Sequence, residues 1–76
     1  MKSLNISLSS LDKIKNFVGI VSNLDSEIDL ISGRYVVNAK SIMAVLSLDL
    51  SKDIQMNIYN EKIFDDAKKI LQDFLI

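Results

Sequence analysis

Hydrophobic and polar residues alternate over Ser3–Leu8, with Leu4, Ile6 and Leu8 on one side and Ser3, Asn5 and Ser7 on the other. A period of two predicts a half-buried strand. From Leu11 the period lengthens. Leu11, Ile14, Phe17, Val18, Val21 and Leu24 share one side of a 3.6-residue wheel, and Asp12, Lys15, Asn16, Gly19 and Asn23 share the other. This predicts an amphipathic helix over residues 10–23. Ser9 and Ser10 precede it as candidate caps, and Ser9 with Asp12 has the spacing of a capping box, Asp standing for the usual Glu. Asp25, Glu27 and Asp29 then alternate with Ser26, Ile28 and Leu30, a second strand, and Ser32-Gly33 reads as a tight turn into a third, Arg34–Asn38. Ser41–Leu48 is a short helical stretch. Ile54, Met56 and Ile58 alternate with Gln55, Asn57 and Tyr59 in a fourth strand. Asn60 is placed to cap a last helix over 61–75, whose Ile63, Phe64, Ala67, Ile70, Leu71, Phe74 and Leu75 share one face. On its outer side Asp65 precedes Lys69 by four residues, a favourable surface pair.

The element order is therefore β-α-β-β-α-β-α. Each strand offers one apolar face and two helices offer matching stripes, so the economical solution is an α+β open-faced sandwich: one sheet with helices on one side. The other face, carrying Ser3, Asn5, Asp25, Glu27, Asp29, Gln55 and Asn57, suits water. A length of 76 residues predicts a single domain spanning 1–76.

Composition narrows the chemistry. Hydrophobic residues make up 49% of the chain, with no proline and two glycines, which is globular rather than disordered. There is no cysteine and no histidine, which removes disulfides, thiolate chemistry, the commonest general base and the commonest metal ligand. A net charge of −1 argues against a broad nucleic-acid surface. No apolar run approaches the roughly 20 residues of a membrane span. Residues 1–20 show no secretory leader, so a cytoplasmic location without membrane insertion is expected. Gly19 and Gly33 stand alone, so there is no glycine-rich phosphate loop and no cofactor is expected. Asp25, Glu27 and Asp29 would sit about 6.6 Å apart in succession along a strand, too spread for one metal ion. No nucleophile–base pair is evident, so the chain is not expected to be an enzyme.

Two features remain. In the middle helix Ala44, Val45 and Leu48 gather on one sector, and Ile42, Met43 and Leu46 on the opposite one. Either the helix is buried all round, or Ile42, Met43 and Leu46 form an exposed apolar patch of the kind that marks a partner site. Ser41 stands where this helix begins. It is placed to cap a backbone N–H, or to accept a phosphate that the helix start would tolerate, with Lys40, Lys52 and Arg34 as possible flanking cations.

The stretch Gly33-Arg34-Tyr35-Val36-Val37-Asn38-Ala39-Lys40-Ser41-Ile42-Met43-Ala44-Val45-Leu46-Ser47-Leu48 resembles the HPr family, the histidine-containing phosphocarriers of the bacterial sugar phosphotransferase system. Its core is Val37–Met43 followed by Val45–Leu48. The resemblance implies a four-stranded antiparallel sheet in the order 1-4-2-3. It implies that Ser41 corresponds to the serine phosphorylated by a regulatory kinase in Gram-positive bacteria. It also implies that Ile42, Met43 and Leu46 correspond to the surface that docks on phosphotransfer partners. The departures are as informative. By the same alignment the family's phosphohistidine falls near Ser9, its arginine near Leu11 and its proline near Asp12, and none of the three is present. Ala44 and Asp49 replace two glycines usual in this part of the family, and Gly33–Ser41 is one residue longer than usual. Ser9 is a poor substitute acceptor, since a phosphoserine ester lacks the transfer potential of a phosphoimidazole, and it reads as a helix cap.

The expectation is therefore an HPr-like protein without the phosphohistidine site. It would serve as a regulator or adaptor through Ser41 and the adjacent patch, with protein partners of the sugar phosphotransferase or serine-kinase type. Two other readings stay open: a substrate of the serine kinase at Ser41 acting in carbon-catabolite control, and a structural domain that self-associates. A monomer or weak homo-oligomer is expected.

Overall fold

The computed structural model describes residues 1–76. Four strands, β1 (Lys2–Ile6), β2 (Ile28–Ser32), β3 (Tyr35–Asn38) and β4 (Ile54–Ile58), form one antiparallel sheet in the order β1-β4-β2-β3. Helices α1 (Leu11–Val21), α2 (Ile42–Leu46) and α3 (Phe64–Ile70) complete the α+β sandwich. No helix is long and apolar enough to cross a membrane.

Register shows why the alternation works. Leu4, Met56, Leu30 and Val37 stand in one row across all four strands. Successive side chains of a strand point to opposite faces, so this row faces the helices, and the next row, Ser3, Asn57, Asp29 and Asn38, faces away. Ile14, Phe17 and Val21 of α1 and Ala67, Leu71 and Phe74 near the C-terminus close the core over the sheet. The Phe17 and Phe74 rings meet edge to face, centroids 5.5 Å apart, an arrangement that aromatic quadrupoles favour.

The polar face is bonded together rather than merely wet. Asn57 is buried by its neighbours, and its Oδ1 accepts from Ser3 Oγ at 2.6 Å and Gln55 Nε2 at 2.9 Å. Tyr59 donates its hydroxyl to Asp29 Oδ2 at 2.8 Å. That bond first, with desolvation and the nearby charges of Asp29 and Glu27 behind it, holds the phenol above the ordinary tyrosine range. The folded state thus binds the phenolic proton more tightly than the unfolded chain does. The stability it contributes is present below the ordinary tyrosine pKa and disappears as pH rises through the folded one. In a Tyr35→Phe background, which leaves one tyrosine to read, alkaline absorbance titration should place Tyr59 above free tyrosine. Asp29→Asn should bring it down, and an unchanged titration would show that the carboxylate is not the cause.

Several boundaries differ from the expected ones, each for a local reason. β1 stops at Ile6 because the chain then bonds to the C-terminal segment: Ser7 N–H donates to Phe74 O, and Ile76 N–H donates to Asn5 O. Leu8 is nevertheless buried. β2 begins at Ile28, so Asp25 and Glu27 lie outside the strand, while Glu27 still borders Asp29 beside Tyr59. The segment before it is held by side chains instead: Asn60 Nδ2 donates to Asp25 O and Asn60 N–H to Ser26 Oγ. Ser32 pairs with Tyr35, so the two turn residues are Gly33 and Arg34 rather than Ser32 and Gly33. Gly33 adopts φ +59°, open to a residue without Cβ.

Ser10, not Ser9, caps α1. It is extended (φ −143°, ψ 159°) and its Oγ accepts from Lys13 N–H at 3.2 Å, so the Ser9–Asp12 box does not form. Leu11, expected on the inner side, is 52% exposed at the first position of the helix. The last helix is not continuous over 61–75. Asn60 accepts from Lys62 N–H and starts a 3-10 turn, Glu61–Ile63, while a second such turn, Gln72–Phe74, follows α3. Phe74 N–H donates to Leu71 O and Leu75 N–H to Gln72 O, so the final turn tightens. This carries Leu71 and Phe74 inward and leaves Ile70, expected in the core, 52% exposed. Asp65 and Lys69 do not pair; the ion pairs are Lys52–Asp49 at 3.9 Å and the N-terminal ammonium with Glu61 at 3.7 Å.

Candidate functional site

The α2 region is built from its hinges inward. Asn38 fixes the turn that leads to the helix: its Oδ1 accepts from Lys40 N–H at 2.9 Å and its carbonyl from Ser41 N–H at 3.1 Å. Between them Ala39 is buried, and its N–H donates to Ile28 O. Ser41 is thereby held extended (φ −103°, ψ 109°) at the helix start, half-buried, with Oγ accepting from Ala44 N–H at 3.4 Å. At the other end Ser47 donates its hydroxyl to Ala44 O and closes the helix after five residues, shorter than the expected Ser41–Leu48.

The two sectors separate as an exposed and a buried side. Val45 and Leu48 are buried in the core, whereas Met43 is 76% and Leu46 42% exposed. Burial all round is thus excluded. Ile42, expected in the exposed set, is half-buried and packs against the core, because at the first turn it still leans over the sheet.

Leu46 does not stand alone. With Leu8, Ser9, Ser10, Leu11, Ile14 and Leu50 it lines a shallow groove of about 250 Å³ between the start of α1 and α2. The groove joins two regions that the sequence presents separately: the Ser9/Leu11 stretch and the apolar patch. Asp12 is exposed on α1 but does not line it, and Leu50 is a lining residue that sequence reasoning missed. Its only sequence signal is an apolar residue in the loop between α2 and β4.

The expected cationic cradle around Ser41 is not assembled. Lys40 turns its ammonium to Leu24 O, 2.8 Å away, beyond the end of α1. Arg34 and Lys52 line a different depression with Tyr35, Ser47 and Asp49. The Asp49 carboxyl there is held below the ordinary carboxylate range, chiefly by the Ser51 hydroxyl at 2.6 Å and the Ser51 N–H, with Lys52 adding a weaker pull.

The sequence of residues 13–74 matches the model of a protein family described as PTS HPr component phosphorylation site. The chain belongs to the HPr family. A solved structure described as HPr-C-His from Thermoanaerobacter tengcongensis superimposes with a TM-score of 0.80 at 28% identity, over 96% of this chain and 89% of the other. The phosphocarrier protein HPr from Bacillus anthracis str. Ames shares the fold, with a TM-score of 0.78 at 22% identity over 99% of this chain and 94% of the other. A search of curated proteins found no match. The architecture is thus that of an HPr phosphocarrier, including the sheet order. The family match begins at residue 13 and leaves Ser9, Leu11 and Asp12 outside it. Those residues form an N-terminal approach to α1 of different chemistry: an exposed serine, an exposed leucine and an acidic side chain, in a chain with no histidine.

Proposed function

We propose that this HPr-family protein works by docking rather than by carrying a phosphoryl group, as a regulator or adaptor in a cytoplasmic sugar-phosphotransfer setting. The observation that carries the reading is the split of α2. Val45 and Leu48 fasten the helix to the core, which leaves Met43 and Leu46 exposed beside the groove that Leu11 extends. An apolar face that the fold does not need is the usual sign of a partner surface. The absence of any imidazole supports the loss of the carrier reaction, since Ser9 would hold phosphate only as an ester of low transfer potential. The test is calorimetric titration against the phosphotransfer enzyme of the sugar system. Binding by the parent chain, weakened tenfold or more (about 1.4 kcal/mol or more) by Met43→Asp or Leu46→Asp, is expected. No binding by the parent, or equal binding by the variants, overturns the reading.

The placement of Ser41 favours a second reading, in which the chain is the substrate of a regulatory serine kinase. Its hydroxyl caps α2 only through a long 3.4 Å contact and borders the Met43/Leu46 face. A phosphate there would bring roughly two negative charges to the edge of an apolar surface and alter docking more than folding. Labelling by the kinase with ATP, abolished by Ser41→Ala, distinguishes this reading. A dimer detected by light scattering and broken by Met43→Asp would instead point to self-association.

A further inference from the structure

The three methionines of this chain occupy three different environments, and there is no cysteine, so thioethers are the only sulfur it presents to an oxidant. Met56 is fully buried in the sheet. Met1 is exposed at the N-terminus, where its ammonium faces Glu61. Met43 is 76% exposed, more than any other large apolar side chain. It sits on a helix, Ile42–Leu46, that carries no charged residue.

We propose that Met43 is a site of reversible oxidation by peroxides, and that its sulfoxide turns the apolar face of α2 polar without loosening the fold. The thioether sulfur attacks one peroxide oxygen, the O–O bond breaks and an S=O bond forms. With hydrogen peroxide the displaced oxygen leaves as water. Sulfur loses two electrons and the peroxide gains them. The product is a polar, chiral group that methionine sulfoxide reductases return to the thioether. Exposure makes Met43 reactive, whereas Met56 is shielded. The fold is spared because Val45 and Leu48, not Met43, hold α2 to the core. The surface is not spared, because the flexible apolar chain that adapts to a partner becomes a strong hydrogen-bond acceptor next to Leu46. The effect on docking rests on the reading given under Proposed function; the chemistry and the change of surface do not.

The experiment treats the folded parent chain and Met43→Leu with hydrogen peroxide and follows each methionine by peptide mass spectrometry. Met43 should oxidise about tenfold faster than Met56 or more. The oxidised parent should then elute earlier from a hydrophobic-interaction column, and a sulfoxide reductase should restore its retention. Oxidised Met43→Leu, which carries the same Met1 sulfoxide, should shift distinctly less than the oxidised parent, and an equal shift would assign the change to Met1 and overturn the proposal. The melting temperature of the oxidised parent should move by less than about 4 °C. Equal rates at Met43 and Met56, unchanged retention of the oxidised parent, or a larger fall in melting temperature overturns the proposal. Binding to the phosphotransfer enzyme separates it from the docking reading. If Met43→Asp binds like the parent, docking through this face is wrong while the partner-free results still decide the oxidation site. If Met43→Asp binds weakly and the sulfoxide binds like the parent, the sulfoxide does not make the face polar enough to matter, and the proposal falls alone.

Discussion

Val45→Asp should remove most or all of the stability of this protein, while Met43→Asp on the same helix should leave it within about 1 kcal/mol of the parent. The two positions are two residues apart in a five-residue helix, so propensity and length cannot distinguish them. Burial does: Val45 has no solvent contact and Met43 is mostly in water. A carboxyl forced into the Val45 site must shed its charge, and keeping it protonated about three pH units above its ordinary pKa costs about 4 kcal/mol at pH 7. Lost methyl packing adds about 1 kcal/mol. A chain of this length has about 4–11 kcal/mol in total. Leu48→Asp should cost less than Val45→Asp, because Leu48 lies at the rim of the core, and Leu46→Asp should cost about 1 kcal/mol. The raised folded-state pKa of the new carboxyl means that the Val45→Asp protein recovers stability as pH falls towards 4. Thermal melts of the four variants at pH 7 and pH 4.5 read this out. Equal losses at Met43 and Val45 would show that both sides of α2 are needed by the core, and the docking surface would be gone.

Incubated with phosphoenolpyruvate and the phosphotransfer enzyme of the sugar system, the protein should stay at background labelling while an HPr that retains its histidine is fully labelled in the same tube. The chain has no imidazole to accept the group. The approach to α1 is also unsuited to a phosphoryl anion: Leu11 is an exposed apolar side chain there, and Asp12 adds a negative charge in the first turn. The Ser10 hydroxyl oxygen is engaged with Lys13 N–H, whereas Ser9 beside it is exposed. Acid-labile phosphate on the chain would overturn the loss of the carrier reaction. Acid-stable phosphate lost in Ser9→Ala would relocate the acceptor to Ser9.

The groove gives both experiments a common geometry. It places Leu11, at the start of α1, beside Leu46 of α2.

Much of this was legible in the sequence because it depends on periodicity. Alternation identified the inward rows Leu4, Met56 and Leu30, and the helical wheel separated Val45 and Leu48 from Met43 and Leu46. Caps at Ser41 and Asn60 were readable because an oxygen-bearing side chain ahead of an apolar run has few other local uses. What the sequence left undecided were choices between local options of similar energy. Ser9 and Ser10 are equally good caps, and the extended backbone at Ser10 selects it. Asp25 and Glu27 fit a strand pattern, but Asn60, far along the chain, bonds the backbone and side chain of that segment and starts β2 at Ile28. Ile70 fits the inner stripe of a regular helix, but the tightening at Leu71 and the seat of Phe74 against Phe17 turn it out. Ile42 fits the exposed sector, but only the position of the helix over the sheet shows it leaning inward. Faces are a local property of the pattern and can be read from it. Which of two neighbours caps, where a strand starts and which separate leucines share a groove are settled by contacts between distant segments, and these exist only once the chain is folded.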